Sequence, residues 1–334
     1  MDELRVAVIG AGRIGTAHAD TLCRRVRNAR LVAVTTSRPE RAAEVQEPCG
    51  AVTVCPNIEA LLSAETLDAV VIASSTSAHA DNVIASAEAG LHIFCEKPLS
   101  LTEADCARAA TAAEANGVKL MIGHARQFDA ANVEAKRLIE SGAIGRPLIY
   151  RGLSGDMEPP PPDFADPAVS GGLILDSMYH DIYLARWLLA DEVTRVYAEG
   201  EALVDEGVRS VGDVDNAIVS LRFSGGAMAT LTASRTTRYG HDLRGEVIGE
   251  EGAVHVGYFR QTPVRLLDSR GIHHDAPQTT ADRMAGALEN ELQAFVNCIV
   301  DDTEPPVTHR DGRRTLAVAI AATRSIHSGM PEEV

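Results

Sequence analysis

Short runs of apolar residues recur along the first third of the chain, each separated from the next by a stretch with helical spacing. Residues 4–9 (LRVAVI), 30–35 (RLVAVT), 69–73 (AVVIA), 91–95 (LHIFC) and 118–122 (VKLMI) read as strands. Residues 13–27, 39–46, 80–89 and 102–116 read as the helices between them, with Gly90 closing the third. Strands that are apolar almost throughout are buried on both faces, which predicts a parallel sheet covered by helices.

Beyond about residue 125 the pattern changes to alternation. Val219, Leu221 and Phe223 share one face of a strand and Ser220 and Arg222 the other; Ser224-Gly225-Gly226 then signals a hairpin into 227–233 (AMATLTA). Further strands are predicted at 148–153, 195–204, 243–248, 253–256 and 264–267, and helices at 288–300 and 312–326. The fold class is therefore α/β. Residues 1–124 form a doubly wound parallel sheet, and residues 125–334 an α+β domain with a large open, mainly antiparallel sheet. An uncovered face of that sheet would serve as an oligomer surface. The proline run at 159–162 is a stiff loop inside the second domain.

Composition agrees with two domains. A chain of 334 residues exceeds one average domain, and 45% hydrophobic residues suffice for a sizeable core. The 31 Lys and Arg against 47 Asp and Glu give a formal charge of −16, which disfavours nucleic acid and anionic membranes as partners. Cysteines at 23, 49, 55, 95, 106 and 298 show no C-x-x-C spacing and read as small buried hydrophobes of a reducing compartment. No run reaches the roughly 18 apolar residues of a membrane span, and Asp2 and Glu3 open the chain in place of a basic leader. A soluble cytoplasmic protein is expected.

The first run leads into Gly10-Ala-Gly12-Arg13-Ile14-Gly15 and then a helix, the context of a dinucleotide fingerprint. Gly10 permits the tight turn, Gly12 lets the backbone approach a pyrophosphate, and Gly15 allows close helix packing. The second strand should end in an acid for the adenosine ribose, but here Thr36, Ser37 and Arg38 follow it. Hydroxyls and a guanidinium welcome a 2′-phosphate that an acid would repel, so the balance favours NADP over NAD. Ser74, Thr76 and His79, after the third run, are further candidates for the cofactor side, and Arg38 has the plainer reading of a solvated charge.

Two segments carry the chemistry. Glu96-Lys97-Pro98 ends the fourth run, at the sheet edge where ligands bind, so the Lys97 ammonium would reach the nicotinamide side. Pro98 fixes the turn and can do so as a cis peptide. The segment 171–181 (GGLILDSMYHD) opens a helix on which Asp176 and His180 lie four residues apart on one face. A histidine tuned by a carboxylate one turn away suits a general base near neutral pH. The plainer readings are a surface lysine and a helix-start aspartate beside a buried histidine. No metal site is expected, because His273-His274-Asp275 is the only other ligand cluster. His18 and Trp187 read as packing residues, and Cys95 as a buried neighbour of Glu96.

GAGRIG at 10–15, EKP at 96–98 and GGLILDSMYHD at 171–181 together resemble the glucose–fructose oxidoreductase / inositol dehydrogenase / MocA family, in its order and along the whole chain. The resemblance implies a Rossmann domain, an open-sheet domain that packs into homodimers or homotetramers, and oxidation of a secondary alcohol of a sugar or cyclitol with NAD or NADP. It implies that Lys97, Asp176 and His180 are the catalytic lysine, aspartate and histidine. His180 would take the hydroxyl proton, Asp176 would orient it or bind a neighbouring hydroxyl, and Lys97 would hold the substrate oxygen. Segments at 186–189, 239–242 and 246–249 are similar to the inositol dehydrogenase branch, making Tyr239 a pocket candidate, and HARQFD adds Arg126 with Asp129.

Departures accompany the resemblance. Tyr183 stands where inositol dehydrogenases usually carry an acid seven residues past the catalytic aspartate, Ser74-Ser-Thr-Ser77 stands where a proline is common, and Thr36 replaces the ribose acid. Alternative functions are a cofactor-binding regulator without turnover, and a sugar reductase or glycoside 3-dehydrogenase of the same family.

Overall fold

A computed structural model describes residues 3–257, 265–269, 271–274 and 280–334. The chain forms two compact units. The first runs to Phe128 and includes Gly286–Arg314; the second is Asp129–Ala285 with Thr315–Val334. The sequence assigns everything beyond residue 124 to the second domain, and Gly286–Arg314 departs from that. Its Leu292, Phe295 and Val296 are buried in one apolar cluster with Val6, Val8, Leu22 and Phe94, so burial holds this late segment to the first unit.

The first unit opens with β1 (Leu4–Ile9), α1 (Arg13–Arg24), β2 (Ala29–Thr35) and α2 (Pro39–Cys49). It continues through β3 (Thr53–Cys55), α3 (Ile58–Ala64), β4 (Ala69–Ile72) and α4 (Thr76–Glu88). Last come β5 (His92–Glu96), α5 (Glu103–Ala115), β6 (Leu120–Gly123) and a 3-10 turn at Ala125–Phe128. All six strands are parallel, in the order β3-β2-β1-β4-β5-β6. Every residue of β4 is buried, as its unbroken apolar run requires. Strand order reverses between β1 and β4, and ligands of such sheets bind at the carboxyl ends beside that point. The sequence reading passes over β3 and α3, because a three-residue strand exposed at two positions carries no apolar run.

Two of the six cysteines depart from the expected set of buried, unbonded residues. Cys23 on α1 and Cys49 at the end of α2 form a disulfide with their Cα atoms 5.5 Å apart. They lie 26 residues apart in sequence, so only the side-by-side packing of the two helices reveals the pair. Cys55, Cys95, Cys106 and Cys298 are buried free thiols, and burial pushes the Cys95 thiol well above its ordinary range.

The second unit begins with α6 (Ala130–Glu140), β7 (Pro147–Gly155), α7 (Pro162–Ala165), α8 (Pro167–Ser170) and a π-helical stretch at Ile174–Met178. Then follow α9 (Tyr179–Leu189), β8 (Val193–Glu201), α10 (Glu206–Ser210), β9 (Asn216–Phe223) and β10 (Met228–Ser234). The remaining strands before the late helices are β11 (Asp242–Gly249), β12 (Ala253–Val256), β13 (Arg265–Asp268) and β14 (Gly271–His274). The chain ends with α11 (Thr280–Val300), α12 (His309–Ser328) and β15 (Glu332–Glu333). The main sheet runs β12-β11-β7-β10-β9-β8-β15, antiparallel except where β7 meets β10. Alternation works as predicted in β9, where Ala217, Val219, Leu221 and Phe223 are buried and Ile218, Ser220 and Arg222 are exposed. Tyr197 and Met228 share that exposed face with Ile218. Residue 264 of the predicted strand 264–267, and Asp275 of the His273 cluster, lie outside the described residues.

Candidate active site

The glycine motif sits at the switch point of the parallel sheet. Gly10 has φ +100°, and a Cβ there would lie 2.7 Å from the carbonyl oxygen of Ala73 and the Cα of Ser74. Gly15 packs so tightly on Gly10 that its Cβ would overlap the Gly10 carbonyl. At Gly12, by contrast, a Cβ would meet nothing within 4 Å, and no side chain caps the α1 N-terminus that follows. Open space in front of uncapped N–H groups is what an anionic pyrophosphate requires. Arg13 is exposed and Ile14 half-buried on that first turn. Thr35 holds the motif from β2, taking the Gly10 N–H on its hydroxyl at 3.1 Å. Past it, the Thr36 hydroxyl accepts the Arg38 N–H at 3.1 Å, leaving Ser37 and the Arg38 side chain exposed. Arg38 makes no ion pair among the described residues, whereas Arg41 is taken by Glu44 at 2.7 Å.

The β5 end holds the lysine. Lys97 is half-buried, its peptide bond to Pro98 is cis, and its N–H donates to Glu96 Oε2 at 3.1 Å. Glu96 in turn receives His18 Nε2 at 2.7 Å, so His18 packs fully buried with a carboxylate partner that its spacing along α1 does not reveal. His79 does not point into open space. It is 2% exposed, with Nδ1 at 2.8 Å from the Pro98 carbonyl and Nε2 at 3.1 Å from that of Ser74. The ring thus braces the β4 end against the Lys97–Pro98 turn, and burial pushes its pKa down despite the two carbonyls. Asn82 adds a bond to the Ser74 hydroxyl at 3.0 Å, and Thr76 is half-buried at the start of α4. Arg126 is buried in the turn after β6.

In the second unit, Asp176 lies in the π-helical stretch and His180 at the start of α9, both half-buried and four residues apart as predicted. The double glycine that leads in has left-handed φ at both positions, +82° and +73°. A Cβ on Gly172 would overlap Asp213, whose carboxylate accepts the Leu173 N–H at 3.0 Å. Arg235 is 1% exposed and reaches both acids, at 2.7 Å from Asp213 and 3.3 Å from Asp176. One buried guanidinium therefore fixes the glycine loop and the Asp176 carboxylate together. Burial raises the Asp213 pKa even against Arg235 and the backbone donors. Asp156, just past β7, accepts the Ser177 hydroxyl at 3.1 Å and pairs with His241 at 3.1 Å. The Tyr239 ring is exposed, and its hydroxyl donates to Asp242 at 3.1 Å. Tyr183 is buried in α9.

Sequence reading missed Arg235, Asp213 and Asp156. Arg235 had a signal: Ala229, Leu231 and Ala233 are the buried phase of β10, and a period of two puts the arginine in that phase. A charge in a buried phase needs partners, which the chain supplies from distant loops.

A dinucleotide cradle and a lysine at a parallel sheet edge, followed in the same chain by an Asp-x-x-x-His pair, define a nicotinamide-dependent oxidoreductase. Comparison with known proteins makes this specific. Residues 4–124 match the oxidoreductase family with the NAD-binding Rossmann fold, and residues 132–255 match the GFO/IDH/MocA C-terminal domain. The chain belongs to the Gfo/Idh/MocA oxidoreductase family, as the motifs imply. It is 38% identical over 332 residues to scyllo-inositol 2-dehydrogenase (NAD(+)) of Bacillus subtilis, covering 99% of this chain and 96% of that one. Myo-inositol 2-dehydrogenase of Thermotoga maritima is also 38% identical, over 97% of this chain and 96% of its own. A crystal structure of scyllo-inositol dehydrogenase from Lactobacillus casei, with NAD(H) and scyllo-inositol bound, aligns with TM-score 0.93 at 26% identity, covering 99% of both chains. No helix among the described residues is long and apolar enough to cross a membrane.

Proposed function

We propose that this chain is a cyclitol dehydrogenase that oxidises a secondary hydroxyl of an inositol-like ring to a ketone. The observation that carries the reading is Asp176, held by a buried arginine and followed one turn later by His180, in a chain whose other unit presents Lys97 at a dinucleotide-binding sheet edge. His180 takes the hydroxyl proton as general base. Asp176, fixed by Arg235, orients that histidine or accepts a neighbouring ring hydroxyl, and Lys97 donates to the reacting oxygen. Arg126 and Tyr239 are assigned to the remaining hydroxyls. With Tyr183 in place of the usual acid, Asp156, which accepts the Ser177 hydroxyl, is assigned that role. The dinucleotide, when bound, supplies the hydride acceptor. Gly10, Gly12, Arg13, Ile14 and Gly15 hold its phosphates, while Ser74, Thr76, Glu96 and Lys97 line the nicotinamide side, braced by His79. In sum, alcohol and oxidised cofactor give ketone, reduced cofactor and a proton.

For the adenosine end, Thr36, Ser37 and the exposed Arg38, which makes no ion pair among the described residues, support acceptance of a 2′-phosphate, so NADP binds at least as well as NAD. The exposed Tyr197, Ile218 and Met228 on the open sheet support self-association into a homodimer or homotetramer. Lys97→Met tests the catalytic reading. Turnover is lost while cofactor binding, measured by fluorescence, persists; unchanged turnover removes the role given to Lys97.

A further inference from the structure

Glu291, on α11, has no exposure, and neither of its carboxyl oxygens has a hydrogen-bond partner among the described residues. One of its oxygens, one of Glu96 and a ring nitrogen of His18 lie within 4.8 Å of one another. Apolar rings stand beside them: Phe94 meets His18 edge-on at 5.3 Å and Phe295 at 5.9 Å. Among the described residues, the titratable groups facing Glu291 are Glu96 on β5 and His18 on α1, and Lys97 adds its charge beside Glu96.

Two ionised carboxylates in so small a buried space repel each other strongly. Glu96 has compensation in the His18 bond at 2.7 Å and the Lys97 N–H at 3.1 Å. Glu291 has none. A neutral carboxylic acid, however, carries an O–H donor, and the Glu96 carboxylate beside it offers lone pairs for a charge-assisted bond. Burial and the Glu96 charge push the Glu291 pKa well above the ordinary carboxylate range. Glu96 is itself raised by burial, but the His18 bond and the Lys97 charge more than reverse this.

We propose that Glu291 is a protonated acid at neutral pH that keeps its proton and donates a hydrogen bond to Glu96, completing a buried His18–Glu96–Glu291 network that positions Lys97. The significance for turnover rests on the catalytic reading of Lys97. Glu291 meets the reacting groups only through Glu96 and the Lys97 main chain, so it is a positioning residue. A divalent cation is the other occupant such a trio could hold, but the His18–Glu96 distance is that of a direct hydrogen bond.

The test compares the full chain with Glu291→Gln, which keeps a donor, and Glu291→Leu, which does not. Infrared difference spectra at neutral pH should show a protonated-carboxyl stretch in the wild type that Glu291→Gln lacks. The unfolding temperatures supply the sign. Folded Glu291 keeps a proton that the unfolded chain releases above about pH 4.3. Its contribution is therefore full below that pH and is lost as pH rises towards the raised folded value. Between about pH 5 and about pH 8 the melting difference should shift steadily in favour of Glu291→Gln. Glu291→Gln should also keep at least about tenfold more kcat than Glu291→Leu. Absence of the carboxyl band, a pH-independent melting difference, or a stoichiometric divalent cation in metal analysis would overturn the proposal. Should Glu291→Gln fail to fold, the wild-type band followed between the same pH limits decides: it persists for a buried acid and vanishes for an ionised one. None of these spectra or melts needs turnover, so survival of activity in Lys97→Met would remove the catalytic reading and leave the proton question separately answered.

Discussion

Replacing Arg235 removes the shared partner of Asp176 and Asp213 in one step. Because Arg235 is 1% exposed and Asp213 nearly as buried, Arg235→Met leaves a buried acid without its counter-charge. The expected cost is about 3–5 kcal/mol, read from denaturant unfolding, with kcat/KM falling because Asp176 loses its anchor. A variant of wild-type stability and activity would show that the guanidinium holds neither acid in place. At the adenosine end, titration with NAD and NADP on wild type and Arg38→Ala should show that the substitution weakens NADP more than NAD; NAD binding tighter than NADP in the wild type would reverse the assignment. What was legible at this scale is what spacing encodes: three glycines before a helix, a lysine after an apolar run, an acid and a histidine one turn apart. Arg235 to Asp213 and His18 to Glu96 are contacts between elements remote in sequence, and no local pattern names the partner.

Elements were legible wherever their burial was uniform. Fully buried strands such as β4 announce themselves as apolar runs, and half-buried ones such as β9 as alternation. β3 fails both tests, since two of its three residues face solvent. Spacing along the chain marks the helix pair α1 and α2 but not its cross-link, because disulfide geometry depends on how the helices pack. Thiol titration of the unfolded, unreduced chain should therefore find four reactive cysteines, Cys55, Cys95, Cys106 and Cys298, with six after reduction. Six before reduction would exclude the Cys23–Cys49 bond.

For the molecule as a whole, the pattern switch near residue 125 separated a parallel from a mainly antiparallel sheet. It could not show that α11 sends Leu292, Phe295 and Val296 back into the first core, since amphipathic spacing says which face is buried and not where. The net charge of −16 favours solubility, so the apolar Tyr197, Ile218 and Met228 stand out on the sheet face. Ile218→Glu should lower the sedimentation coefficient to that of a monomer; an unchanged value would place any self-association elsewhere. Hydride transfer from a cyclitol is read out by cofactor absorbance. Wild-type protein given myo-inositol, scyllo-inositol, aldoses and 1,5-anhydrosugars with NAD and NADP in turn should reduce cofactor fastest with an inositol. Cofactor binding without reduction by any substrate of that panel would contradict it and point to the regulator without turnover.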